Sequence, residues 1–287
     1  MYYGLIVISV IMFGACFAMK DVYRRMRGSG VRVSIETSFM GAVAGLAVLL
    51  IINKFHVEFT PFTLLMATLA SVNGFAFTFC SFKALDHINL SLFSLFSMLG
   101  GMALPFLQGI IFYGEDITLS KIICFLLICV ALGVTVTKGE KKKGFIYYIG
   151  IFVLNGMSGV LSKIFTSAPY EKTGSASYTM WIAITTILIS GIIWIIIFRK
   201  NNESDKFTMK AAGLASLTGA TNKVANFLLV IALAHVDASV QYPMVTGGVM
   251  IVSTLACYLS DKKPSRREIL SVIIAFCAML ALFLIKI

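Results

Sequence analysis

The segment Ala84-Leu85-Asp86-His87-Ile88-Asn89-Leu90-Ser91 returns 148 residues later as Ala232-Leu233-Ala234-His235-Val236-Asp237-Ala238-Ser239. Each copy closes one long apolar run and opens the next. Gly100-Gly101 is followed at nearly the same offset by Gly247-Gly248, and Tyr2-Tyr3 by Tyr147-Tyr148. Chance produces any one of these matches. Together they predict a duplicated unit.

Working outward from the repeat, ten apolar runs can be read. They are Tyr2–Met19, Val33–Asn53, Pro61–Phe82, Ile88–Tyr113, Leu119–Thr137, Phe145–Ala168, Ser175–Phe198, Met209–Ala234, Ala238–Ser260 and Ile269–Ile285. A hydrocarbon core roughly 30 Å thick needs about 20 such residues per helix. In lipid a backbone satisfies its own hydrogen bonds only as helix or closed barrel, and runs this long and continuous mean helices. Of 287 residues, 59% are hydrophobic and 13% charged, with a mean hydropathy of +0.92. So few charges do not cover a soluble surface. The connections are short, which leaves no room for a soluble catalytic domain.

Five runs per copy is an odd number, so the second copy enters the membrane upside down. The expected fold is an all-α membrane protein of ten transmembrane helices, arranged as two inverted five-helix repeats over residues 1–142 and 143–287. Inverted repeats characterise secondary transporters, in which two pseudo-symmetric halves rock about a site at the bilayer midplane.

The formal charge of +11 is distributed by side. Eighteen Lys and Arg fall after helices 1, 3, 5, 7 and 9: Lys20, Arg24, Arg25, Arg27, Arg32, Lys83, Lys138, Lys141, Lys142, Lys143, Arg199, Lys200, Lys206, Lys210, Lys262, Lys263, Arg266 and Arg267. Lys54, Lys121, Lys163, Lys172 and Lys286 fall on the other side. Basic residues stay cytoplasmic, so the expectation is a multi-pass protein of the cell membrane with both termini outside the cytoplasm. The same loops touch anionic lipid head groups, which removes any need for a nucleic-acid partner. No basic residue precedes the first run, so it reads as a spanning helix and not a signal peptide. The six cysteines (Cys16, Cys80, Cys124, Cys129, Cys257, Cys277) lie inside apolar runs without metal-ligand spacing and read as packing residues.

Tyr113-Gly114-Glu115 closes the fourth run ahead of Leu119, Ser120 and Gly133-Val134, and Phe82-Lys83-Ala84-Leu85 precedes Ser91. These residues resemble the "GE", "G-V" and "YALxxxxAxxxS" elements of the EamA-like families in the drug/metabolite transporter superfamily. Leu259-Ser260-Asp261 stands where the second "GE" is expected, and the basic loops lie opposite to those usually basic in that group. The resemblance implies a carrier without ATP hydrolysis. Its members move amino acids, sugars, nucleotide sugars, choline or drugs.

Lys223, near the middle of the eighth run, is the feature that points to chemistry. A charge at that depth costs about 2.5–3.5 kcal/mol on insertion scales and usually faces a cavity. Either it binds a carboxylate or phosphate on the substrate, or it is a structural lysine bonded to backbone carbonyls or a neighbouring helix. A deprotonated lysine in proton coupling is a third reading. Asn222 and Asn226 flank it. Further candidates on cavity-lining helices are Asn73, Gln108, Asn155, Tyr178, Trp181, Gln241 and Tyr242, each also readable as interhelical glue. Pro243 and Pro105 each free a backbone carbonyl, and such breaks tend to line binding sites. Glu36 beside Arg32 reads as locally paired, and Lys163 as snorkelling.

No acid sits at mid-depth, which argues against a cation exporter that trades protons at a central carboxylate. No cofactor, nucleotide loop, metal cluster or nucleophile–base pair is visible, so the chain is not read as an enzyme. The expected partners are a small-molecule substrate with an anionic group, a coupling proton or ion, and lipid, with the protein a monomer or homodimer. The rival on the same scaffold is a multidrug or organic-cation carrier, with Trp181, Tyr178 and Tyr242 as an aromatic cage. A non-transporting scaffold would keep the bundle without a solvated cavity at Lys223.

Overall fold

The computed structural model describes residues 2–114, 118–135, 145–198, 208–236, 238–258 and 263–284. Among the described residues the chain forms ten α-helices: α1 (Tyr2–Arg27), α2 (Val31–Ile52), α3 (Pro61–His87), α4 (Leu90–Tyr113), α5 (Leu119–Thr135), α6 (Phe145–Ser167), α7 (Ser175–Phe198), α8 (Met209–Leu233), α9 (Ala238–Cys257) and α10 (Arg266–Leu284). Seven of them, α1–α4 and α6–α8, are long and apolar enough to cross a membrane. Glu115, Lys138, Lys141, Lys142, Lys143, Asp237 and Leu259-Ser260-Asp261 lie outside the described residues.

Local chemistry sets the helix ends. Thr60 accepts a hydrogen bond from the Thr63 amide at the start of α3, with Pro61 in the first turn, where its missing N–H costs nothing. Asn89, in the turn between α3 and α4, caps α4 by accepting from the Leu92 amide. Gly114, at φ +61°, ends α4 in the left-handed conformation that glycine adopts without strain.

One boundary departs from expectation in a way that matters. The first run was expected to end at Met19, with Lys20, Arg24, Arg25 and Arg27 in a loop. Instead α1 continues to Arg27 and stops at Gly28, φ +85°. Asp21 holds this extra stretch helical, bonding Arg24 three residues on and Arg25 four residues on. Lys20 is therefore a helical residue. Likewise α3 runs on past Phe82 to His87, so Lys83, Asp86 and His87 are helical.

The most extensive packing always joins a helix of the first five to one of the last five: α4 with α6, α1 with α9, α2 with α8, α3 with α7, α1 with α8, α3 with α6, and the pairs α2–α7, α4–α9 and α5–α10. Exchanging each helix with the one five places along returns the same set of pairs. At the α4–α9 contact Thr246 Oγ1 donates to Met98 O at 3.3 Å, and these residues stand 148 positions apart. Helix α4 is the most enclosed of the seven long apolar helices, with 72% of its apolar window buried. The others turn faces such as Ile51, Leu65, Ile146 and Ile195 outward. An exterior this apolar suits lipid.

Small residues bring the helices close. A Cβ added at Gly219 of α8 would strike the backbone of Gly41 on α2, and one at Gly100 would strike the backbone of Phe152 on α6. Gly45, one turn beyond Gly41, accommodates the Lys223 stem. Such contacts are how helices associate where lipid supplies no hydrophobic drive. Gly219→Ala is therefore expected to lose about 1–3 kcal/mol, because the obstructing atoms are backbone. Gly213→Ala, with nothing within 4 Å of the added carbon, is expected to be neutral or stabilising. Thermal unfolding of both variants in the same detergent checks the pair.

Candidate functional site

A cavity of about 300 Å³ lies inside the bundle. It is ringed by the α1–α8 and α3–α6 pairs, with α2 and α7 on one side and α4 and α9 on the other. Among the described residues, none of α5 or α10 lines it. Of the ten candidate residues, seven line this cavity: Lys223, Asn222, Asn226, Asn155, Tyr178, Gln241 and Tyr242.

Five of them, Asn222, Asn226, Asn155, Gln241 and Tyr242, are held by side-chain hydrogen bonds to a neighbouring element or along their own helix. Asn226 Nδ2 donates to Asn222 O and Oδ1, at 2.8 and 3.1 Å. Asn155 Nδ2 donates to Ser97 O at 2.7 Å, bridging α6 and α4. Gln241 Nε2 donates to Leu229 O at 3.0 Å, while its Oε1 is buried without a partner. Tyr242 Oη donates to Gly159 O at 3.1 Å. Gly159 in turn gives room for Pro105 of α4. Tyr178 stacks on Phe165 at 3.8 Å, and its buried hydroxyl also lacks a partner. Unsatisfied polar atoms beside a cavity are positions where water or a ligand completes the bonding.

The remaining three candidates sit elsewhere. Asn73 Nδ2 donates to Leu154 O and Ser158 Oγ, tying α3 to α6. Gln108 is buried in α4 away from the cavity lining, with Oε1 unpartnered. Trp181 Nε1 donates to Glu58 O at 2.8 Å, and its ring meets Phe59 edge-on. Trp181, Tyr178 and Tyr242 therefore do not converge on one cavity.

Sequence reasoning missed Lys20, because it placed that residue in a loop. With α1 extended, Lys20 lines the cavity and its Nζ stands 4.9 Å from the Phe77 ring centroid and 5.9 Å from that of Phe82. The signal was present in Asp21, whose spacing to Arg24 and Arg25 supports continued helix. Among the described residues Lys20 and Lys223 are the only charged side chains that line the cavity. Among the described residues no carboxylate lies within ion-pair distance of either.

The acids are engaged at the helix ends. At the end where α1 stops, Glu36 is 1% exposed, pairing with Arg27 at 3.1 Å and Arg32 at 3.3 Å and accepting from Tyr23 Oη. This is the local pairing expected of it. Asp86 accepts from Arg24 and Ser29, and Glu268 accepts from Asn89. At the other end Glu58 Oε2 accepts from the Gly174 amide, and Ser177 Oγ accepts from the Glu58 amide. Lys163 lies under the Tyr113 ring, with Nζ 5.0 Å from its centroid.

The repeat segments reappear as a matched pair of ring contacts. His235 at the end of α8 stacks on Tyr2 with centroids 4.1 Å apart. His87 at the end of α3 faces Tyr147 at 6.5 Å, at the opposite end of the bundle.

No protein-family model matches the chain, and no curated protein does. A solved crystal structure, described only as that of a protein, is similar in fold. Its TM-score is 0.65 at 15% identity, over 97% of this chain and 99% of that one. The class defined by fold and site is thus an all-helical bundle of membrane-protein character enclosing a basic cavity.

In a background with all six native cysteines replaced by serine, Ser38→Cys and Ser162→Cys, both on the cavity wall, are expected to react with a water-soluble methanethiosulfonate. Ser253→Cys, fully buried away from the wall, stays unmodified. Mass spectrometry of the labelled protein checks the contrast.

Proposed function

We propose that the chain is a secondary-active carrier of a small metabolite bearing an anionic group, working by alternating access in the cell membrane. The observation that carries this reading is Lys223: an ammonium deep in an apolar bundle, on the wall of a cavity reached from eight helices, with no acid beside it. A structural lysine would be bonded to backbone or to a neighbour, and none of the described residues takes that part.

The reading includes ten spans in two inverted five-helix repeats, as in the EamA-like drug/metabolite transporters. The packing pairs that survive exchange of the two halves support it. So do Met98 and Thr246, corresponding residues that touch across the α4–α9 contact. The His–Tyr pairs supply an alternation: tight at one end, parted at the other. Two copies of one contact in different states are what a rocking pair of halves produces. The basic end faces the cytoplasm in this reading, and the termini face outward.

The organic-cation reading loses support, since Trp181 lies apart from Tyr178 and Tyr242 and two lysines repel a cationic ligand.

Lys223→Ala in proteoliposomes tests the proposal. Uptake of the transported anion is expected to fall by about tenfold or more, the scale of removing one charge partner from a desolvated site. Unchanged transport in a folded Lys223→Ala protein removes this residue from the mechanism.

A further inference from the structure

The cavity holds two ammonium groups where binding one anionic group needs only one. Their placement follows from the α1–α8 contact. Ser9 Oγ donates to Ala225 O at 3.2 Å, and Cys16 Sγ to Thr218 O at 3.5 Å. The two helices are antiparallel and stay in step residue for residue. Extending that register puts Lys223 level with Ile11 and Lys20 level with Leu214. The two levels are about nine residues apart, roughly 13 Å at 1.5 Å per residue.

Every helical Cα–Cβ bond tilts toward its own N-terminus. In an antiparallel pair those directions oppose, so Lys20 and Lys223 each lean into the interval between them. The stem of Lys223 is seated against Gly45, and the Lys20 ammonium rests over Phe77 and Phe82, ring faces that favour a cation.

Two cations in one low-dielectric cavity repel each other and lack counter-charge. A ligand with one negative group neutralises half of this. An amino acid brings its own ammonium and finds no lining carboxylate to receive it. We infer that the cargo is a small organic dianion, with two carboxylates or a carboxylate and a phosphate-like group at opposite ends of a short carbon chain. Lys223 holds one end and Lys20 the other. The volume suits a metabolite of a few carbons, at the small end of ligand pockets. This inference rests on the reading of Lys223 as the anion-binding residue and narrows it.

The test is the thermal stability of the full chain in neutral detergent at constant ionic strength, titrated with four probes. These are glutarate, 3-phosphonopropionate, butyrate and norvaline. Glutarate or 3-phosphonopropionate is expected to raise the Tm well beyond butyrate or norvaline, and the better of the two identifies the second anionic group. Lys20→Met is expected to weaken dianion binding about tenfold or more, down to the level of butyrate, and Lys20→Arg to retain it. Equal stabilisation by butyrate or norvaline, no response to either dianion, or an undiminished dianion response in Lys20→Met overturns the inference. Butyrate binding that Lys223→Ala abolishes and Lys20→Met leaves intact overturns the dianion while sparing the carrier reading.

Discussion

The contact between α2 and α8 is the constraint on which the cavity depends. Helices in lipid gain little by hiding apolar surface from one another, because the acyl chains are equally apolar. What holds them is close packing and interhelical bonds. Gly41 and Gly219 let the two backbones touch, and Gly45 leaves space for the Lys223 stem. A side chain at any of the three would push α8 outward and carry its lysine with it. One glycine stripe therefore serves both assembly and the placement of the charge.

The allocation of charge follows from the same low dielectric. A carboxylate in a bundle must be paired or left near water. Here Asp21, Glu36, Asp86 and Glu268 are paired at one end, and Glu58 is held by backbone at the other. Among the described residues the interior keeps two lysines and no acid on its wall. The hydroxyls there, such as those of Thr37, Thr78 and Thr218, donate to carbonyls of their own helices at 2.7–2.9 Å. That leaves the ammonium groups, the unpartnered Tyr178 hydroxyl and the amides as the donors facing the cavity, an environment suited to an anion.

Much of this was legible in the sequence. The similar Ala-Leu-x-His segments and the paired tyrosines stood out in the sequence, and in the structure Tyr2, His235, His87 and Tyr147 from among them form the two His–Tyr contacts. Lys223 was legible as a charge too far from either end to reach water. Asn73 and Trp181 were not separable from true lining residues, because a polar side chain on an apolar helix has the same pattern whether it faces a cavity or a neighbouring backbone. Lys20 was misplaced because hydropathy falls at Lys20-Asp21, although the helix does not. Its continuation rests on carboxylate–guanidinium bonds, to which an apolar-run criterion is blind.

By itself the sequence determined the helical class and the deep lysine of α8, since these depend on composition and spacing along one chain. Only the tertiary structure decided which helices meet, and with them which polar groups share a wall. Side-chain direction across a bundle depends on how far each helix is rotated about its axis. That rotation is set by glycine contacts and bonds between residues some 80 to 220 positions apart, such as Tyr242 with Gly159 and Ser9 with Ala225. The convergence of Lys20 with Lys223 comes from that long-range geometry, and no local pattern encodes it.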